Sequence, residues 1–124
     1  MGRVEASGER AWAEPGHRDW LRGQLRELTA FGRASVRPEG GFWWLDDDGR
    51  PDPGQPLHTW IACRMTHVYG LAHLLGDPQA GPLVDHGLEA LSGSLRDPTY
   101  RGWFGGVDTT GAPVDDRKDR KSVV

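Results

Sequence analysis

The sequence predicts an all-α chain whose helices are joined by short aromatic β-hairpins, and three observations carry that reading. Apolar residues recur at three- and four-residue spacing in three separate segments, the mark of helices with one buried face. Two aromatic runs, Gly41-Phe42-Trp43-Trp44-Leu45 and Gly102-Trp103-Phe104, each lead into a turn built from Asp and Gly. Gly and Pro, 18 and 9 of the 124 residues, punctuate the stretches between the helices.

Residues 1–16 hold Gly, Glu, Arg and Pro15 without periodicity and read as a flexible leader. A first helix is expected from His17 to about Ser35. Its apolar residues Trp20, Leu21, Leu25, Leu28 and Phe31 share one side, Arg18, Arg22, Arg26 and Arg33 face elsewhere, and Pro38 with Gly40-Gly41 closes the segment. The run from Gly41 to Pro51 then suits a short strand entering a tight turn at Asp46-Asp47-Asp48-Gly49. A second helix is expected over residues 59–75, with Thr59 as its cap, Gly76 as its stop and Pro78 beyond. A third is expected from about Gln79 to Leu95, because Leu83, Val84, Leu88, Leu91 and Leu95 lie along one side before Asp97-Pro98.

After that helix the pattern of residues 41–51 returns. Gly49 and Gly111 stand 62 residues apart, as do Pro51 and Pro113, so the chain carries an internal repeat of two helices and one aromatic hairpin. One such unit cannot bury its own faces, and the chain holds barely two.

Composition narrows the function classes. At 124 residues the chain is one domain at most, and its mean hydropathy of −0.62 leaves no window near the ~18 apolar residues of a membrane-spanning helix. With 15 Lys+Arg against 18 Asp+Glu, a net charge of −3 and a pI of about 5.9, duplex nucleic acid is a poor partner, since phosphate contact needs clustered positive charge. The first twelve residues lack a basic start followed by an apolar run, so the cytoplasm is the expected compartment. Cys63 stands alone, which excludes an internal disulfide and a cysteine metal site and leaves packing as its role.

No histidines sit at metal-ligating spacing and no glycine-rich run matches a phosphate loop, so neither a metal nor a nucleotide cofactor is expected. Asp46-Asp47-Asp48 lacks the spaced ligands and terminal Glu of a calcium loop and reads as a turn. The six tryptophans, many for so short a chain, point to a core or to a sugar-stacking pocket.

The second helix carries the candidate chemistry. At 100° per residue Trp60, Arg64, His67 and Leu71 fall within about 60° of one another, beside an apolar stripe of Ile61, Met65, Val68, Ala72 and Leu75 that should face the core. An Arg against an aromatic face needs an anion or several acceptors. In one reading Arg64 pairs with a hairpin Asp among Asp46–Asp48, Trp60 packs and His67 holds a backbone carbonyl. In the other the stripe lines a pocket, with Trp60 stacking on a sugar ring and Arg64 donating hydrogen bonds to its oxygens. Spacing alone leaves both open.

The segment from Thr59 to Ala72 resembles the Trp-x3-Arg-Met-Thr-His segment of the N-acylglucosamine 2-epimerase superfamily, and it is most similar to the mannose isomerase and sulfoquinovose isomerase branch. Gly41–Asp46 and Gly102-Trp103-Phe104, followed by Gly111–Asp115 and Lys118, are similar to that family's two hairpins in the same order, so the likeness covers residues 17–118. The resemblance implies the N-terminal part of an (α/α)6 barrel, whose helices would expose large apolar faces and favour self-association. It implies cofactor-independent aldose–ketose isomerisation or C2 epimerisation of mannose or a related hexose through an enediol. Trp60 would be substrate-binding and Arg64 catalytic, near the oxygens where enediol charge develops. The two acid–base histidines of the family map onto no residue of this chain. His17, His58, His73 and His86 gain no role from the resemblance, and His67 is expected to be structural. The fragment is expected to be inactive alone; the alternative of another class is a small carbohydrate-binding or interaction module without catalysis.

The last six residues, Asp119–Val124, show neither periodicity nor capping. The codons GAT CGG AAG AGC GTC GTG, followed by the stop TAG, encode them and begin a widely used short-read sequencing adapter, so residues 119–124 are expected to be a non-native tail. The family pattern would continue after Lys118 with Tyr-x-His-Ala-Phe, from which this tail departs.

Overall fold

The computed structural model describes residues 13–119. The first twelve positions of the expected leader and the last five of the expected tail lie outside the described residues. Three helices, α1 (Pro15–Gly32), α2 (Thr59–Leu74) and α3 (Ala80–Ser92), are accompanied by three strands, β1 (Leu57–His58), β2 (Phe104–Val107) and β3 (Pro113–Lys118). The strands form one antiparallel sheet in the order β1-β2-β3, so an all-α description is too narrow.

Helix α1 starts two residues before the expected His17, because Pro15 occupies its first turn, where a missing N–H costs nothing and the ring presets φ. A 3-10 turn at Arg33–Ser35 then continues it to the expected end. The apolar face of α1 behaves otherwise than its pattern suggests. Trp20, Leu21, Leu28 and Phe31 are exposed and only Thr29 is buried, since no other described element covers that side. The helix is pinned instead at its C-terminal half, where the Tyr69 hydroxyl donates to the Thr29 carbonyl at 3.1 Å and Arg33 pairs with Asp77 at 2.9 Å.

Helix α2 ends as its sequence predicts. The N–H of Asp77 reaches the Ala72 carbonyl and that of Gly76 the His73 carbonyl, each at 3.0 Å, with Gly76 at φ +97°, which is a Schellman closure. Its beginning differs: Thr59 is the first helical residue and not a cap. The Thr59 hydroxyl, wholly buried, donates to the Phe104 carbonyl at 2.5 Å and ties the helix start to β2.

The core face of α2 is also rotated from the expected stripe. Thr59, Ala62, Tyr69 and Ala72 are buried, Ile61 and Met65 pack against that core from its edge, and Val68 and Leu75 are exposed. The reason is the close approach of α3, whose buried positions are the small Ala80, Gly87 and Ala90. Small residues on both helices, with Thr66 set against Gly87, let the backbones meet, and the long side chains Leu88, Leu74 and Leu75 are left outside. Leu95, expected at the end of α3, lies beyond it and fills the core with Phe42, Leu57 and Val107.

The internal repeat is reproduced bond for bond. In the first unit the Asp46 N–H reaches the Arg50 carbonyl at 2.9 Å and the Gly49 N–H the Asp46 carbonyl at 3.0 Å; 62 residues later Asp108 to Ala112 and Gly111 to Asp108 show the same two distances. The Asp46 carboxylate accepts from the N–H groups of Asp48 and Arg50, and that of Asp108 from Thr110 and Ala112. Gly49 at φ +78° and Gly111 at +85° take the left-handed position that such a turn requires. The bases match as well, with Arg37 over the Trp43 ring at 5.3 Å and Arg96 over Trp103 at 5.7 Å. Around the first turn, however, the pairing consists of the single bridges Val36–Phe42 and Leu45–Pro51 and not of a regular strand.

Candidate functional site

Three aromatic rings gather where the first hairpin meets the start of α2. Trp44 comes from that hairpin, His58 from β1 and Trp60 from the first turn of α2. Trp44 meets Trp60 edge-on at 6.1 Å and 85°, the arrangement that sets the positive ring edge against the negative face. His58 lies 5.7 Å from Trp44 and 6.0 Å from Trp60. One turn along α2, the guanidinium carbon of Arg64 stands 5.0 Å from the centre of the Trp60 ring, within cation–π range.

Trp60 is half-buried and Arg64 exposed, so the guanidinium is open to solvent beside a partly covered indole. Arg64 has no carboxylate partner among the described residues. The acidic turn that was one candidate for it is already engaged: the Asp46 carboxylate holds its own turn, and Asp48 sits 4.0 Å from Arg50. The reading in which a hairpin Asp neutralises Arg64 is therefore not what the fold adopts.

His67 is likewise exposed, and among the described residues no hydrogen bond holds it, in contrast to the backbone role expected for it. That role falls to His86, whose Nε2 lies 2.8 Å from the Gly41 carbonyl with its ring edge-on to Phe42. Cys63 is half-buried, and burial, with the charge of Asp119, pushes its thiol up.

Two residues join the cluster that the sequence did not single out. His58 precedes Thr59 and is fixed by pairing with Gly106, and Asp115 on β3 pairs with the other side of the same Gly106. Burial lowers the pKa of His58, opposed by the Asp115 carboxylate, so the imidazole is neutral at neutral pH. Asp115 is itself held below the usual carboxylate range, chiefly by its hydrogen bonds from Arg117, at 2.9 and 3.0 Å. Only the adjacency of His58 to Thr59-Trp60 was visible in the sequence; the position of Asp115 depends on strand register.

The second hairpin is locked to the base of its own loop by the ion pair of Lys118 with the buried Asp97. Hydrogen bonds from Lys118 and from the N–H groups of Tyr100 and Thr99 hold the Asp97 carboxyl at about 2. Among the described residues no group of three or more His, Cys, Asp or Glu could hold a metal ion, and no helix is long and apolar enough to cross a membrane.

Three helices and two equivalent aromatic hairpins, with an indole–guanidinium pair at the head of α2, make a helix-rich unit with a small sheet. Residues 40–121 match the family model described as N-acylglucosamine 2-epimerase (GlcNAc 2-epimerase), more than half of the chain, and the chain belongs to that family. Two relatives the chain resembles are both D-mannose isomerases. It is 52% identical over 107 residues to D-mannose isomerase of Thermobifida fusca, covering 86% of this chain and 26% of the relative. It is 42% identical over 90 residues to D-mannose isomerase of Pseudomonas cannabina pv. alisalensis, covering 73% of this chain and 22% of the relative. Among solved structures, cellobiose 2-epimerase from Spirochaeta thermophila superposes with a TM-score of 0.58 at 25% identity, over 77% of this chain and 27% of that one. The chain thus spans about a quarter of the length of the relatives it matches.

Proposed function

We propose that this chain is the N-terminal portion of a cofactor-independent, cytoplasmic sugar isomerase with an (α/α)6 barrel, acting on mannose or a related hexose. In this reading Trp60 stacks on the apolar face of the sugar ring and Arg64 donates hydrogen bonds to oxygens at C1 and C2. Isomerisation moves a proton from C2 to C1, and negative charge builds on the oxygen while neither carbon holds that proton. A guanidinium at that oxygen lowers the barrier because its attraction grows as the charge develops. The acid–base histidines come from beyond the residues matched here, so the isolated chain is inactive. The observation that supports the reading most is the exposed Arg64 held over Trp60 with no carboxylate partner among the described residues.

The test is a chimera in which residues 17–118 replace the matching stretch of the Thermobifida fusca D-mannose isomerase. Conversion of D-mannose to D-fructose that falls about a hundredfold or more on Arg64→Ala supports the assignment. Unchanged kinetics for that variant overturns it. A chain that binds glycans while its chimera turns over no sugar would favour a carbohydrate-binding module instead. Reading Asp119–Val124 as adapter-derived is part of the proposal: sequencing the source locus past the Lys118 codon should show the frame continuing into Tyr-x-His-Ala-Phe.

A further inference from the structure

His58, Gly106 and Asp115 occupy one row across the sheet, since His58 pairs with Gly106 and Gly106 pairs with Asp115. The ladder is irregular on both sides of Gly106, and the Asp115 carboxylate lies against Gly105, where a Cβ would come within 2.7 Å of it, so of the two outer side chains only the imidazole lies at Gly106. A Cβ on Gly106 would come within 3.3 Å of the Leu57 carbonyl and 3.7 Å of His58 Nδ1, so the imidazole lies over the glycine. The same ring touches the indoles of Trp44 and Trp60, and its backbone cannot drift, because Leu57 pairs with Val107 and the Thr59 hydroxyl is bound to Phe104.

We propose that His58, seated over Gly106 and against the Trp44 and Trp60 indoles, is a positioning residue that fixes the Trp60 indole, and through it the Arg64 guanidinium, for sugar binding. The inference rests on the sugar-isomerase reading for its consequence and on the ring contacts and the β1–β2 pairing for its geometry. His58 makes no claim on the reacting atoms. It restricts the indole between two rings, so that the stacking surface is ordered before the sugar arrives and less rotamer freedom is lost on binding. Gly106 leaves the ring room at a position where a side chain would begin 3.7 Å from His58 Nδ1.

Two readouts separate this inference from the activity it serves. In the 124-residue chain, the Trp60 indole N–H resonance should shift and broaden in His58→Ala, because the ring that confines the indole is gone. Gly106→Ala should displace both the His58 resonance and the Trp60 indole N–H. A Trp60 indole unmoved by either substitution overturns the geometric inference even in a protein without activity.

In the chimera, His58→Ala should raise KM for D-mannose about tenfold with kcat within about twofold, the pattern of an interaction shared by ground and transition state. His58→Asn, which keeps a flat polar group over Gly106, should recover most of that loss. A fall in kcat at constant KM overturns the positioning role, and so does failure of Asn to recover any of the loss. A chimera inactive before any substitution sinks the isomerase reading alone and leaves the resonance shifts to decide the packing of His58.

Discussion

The guanidinium of Arg64 lies 5.0 Å over the indole of Trp60, one helical turn apart at the head of α2, with Arg64 exposed and Trp60 half-buried. Because Arg64 is exposed and makes no ion pair among the described residues, its removal should cost little stability, within about 0.5 kcal/mol. On the proposed sugar-isomerase reading, its removal should act on turnover in the chimera. Arg64→Lys keeps the charge and loses the planar fork, so it should recover only part of what Arg64→Ala loses. Steady-state kinetics beside thermal melts of the same variants check this.

The two equivalent turns should differ in what they tolerate. Gly49→Ala meets both a left-handed backbone and the Phe31 ring, whose Cε2 would lie 2.6 Å from the new Cβ, and should cost about 2 kcal/mol or more. Gly111→Ala meets the same backbone strain and only Ser94 at 3.9 Å, and should cost about 1 kcal/mol. Urea unfolding midpoints compare them. Equal losses would mean that Phe31, exposed as it is, swings away freely.

Acid should loosen the second hairpin. Asp97 has its carboxyl lowered from 3.8 to about 2 by Lys118 and two backbone N–H groups. A depressed carboxylate stabilises the fold above its unfolded value, so this contribution is present above pH 3.8 and is lost as pH falls toward 2. Asp108 and Asp115 are lowered as well and add to the same slope. Unfolding followed by circular dichroism between pH 5 and pH 2 should show a shallower decline in Asp97→Asn than in the parent, starting from a lower stability at pH 7.

Leu74 and Leu75 are 81% and 70% exposed, and Leu28 on α1 is 66% exposed. Faces of this kind seldom stay in water on a monomer. Light scattering behind size exclusion should give a mass above 13.7 kDa for the isolated chain, and Leu74→Glu with Leu75→Lys should bring it down. A monomer that melts sharply without these changes would argue for a self-sufficient module.

Thr59→Val removes the hydroxyl that bonds the Phe104 carbonyl while conserving shape. The stranded, buried acceptor should lower stability by about 1–3 kcal/mol and release the start of α2 from β2. Hydrogen exchange at Trp60 and Ile61 reports that release.

Much of the fold could be read along the chain because it depends on local chemistry. The Schellman closure at Gly76, the Asp-bracketed turns at Asp46 and Asp108, and the 62-residue spacing between them all follow from residues a few positions apart. Helix existence was equally legible from period alone, and so was the pairing of Trp60 with Arg64, which lie four residues apart on one helix. What periodicity cannot carry is which side of a helix another element will meet. Trp20, Leu21 and Leu28 of α1 stayed outside, and the core side of α2 turned to Ala62, Tyr69 and Ala72, because contact was decided by the small residues of α3. Likewise the β1–β2 pairing and the bond from Thr59 to Phe104 join residues 45 to 50 positions apart. Strand register sets such meetings, and register arises from the packing of the whole, so only the tertiary structure could seat His58 over Gly106 and against two indoles.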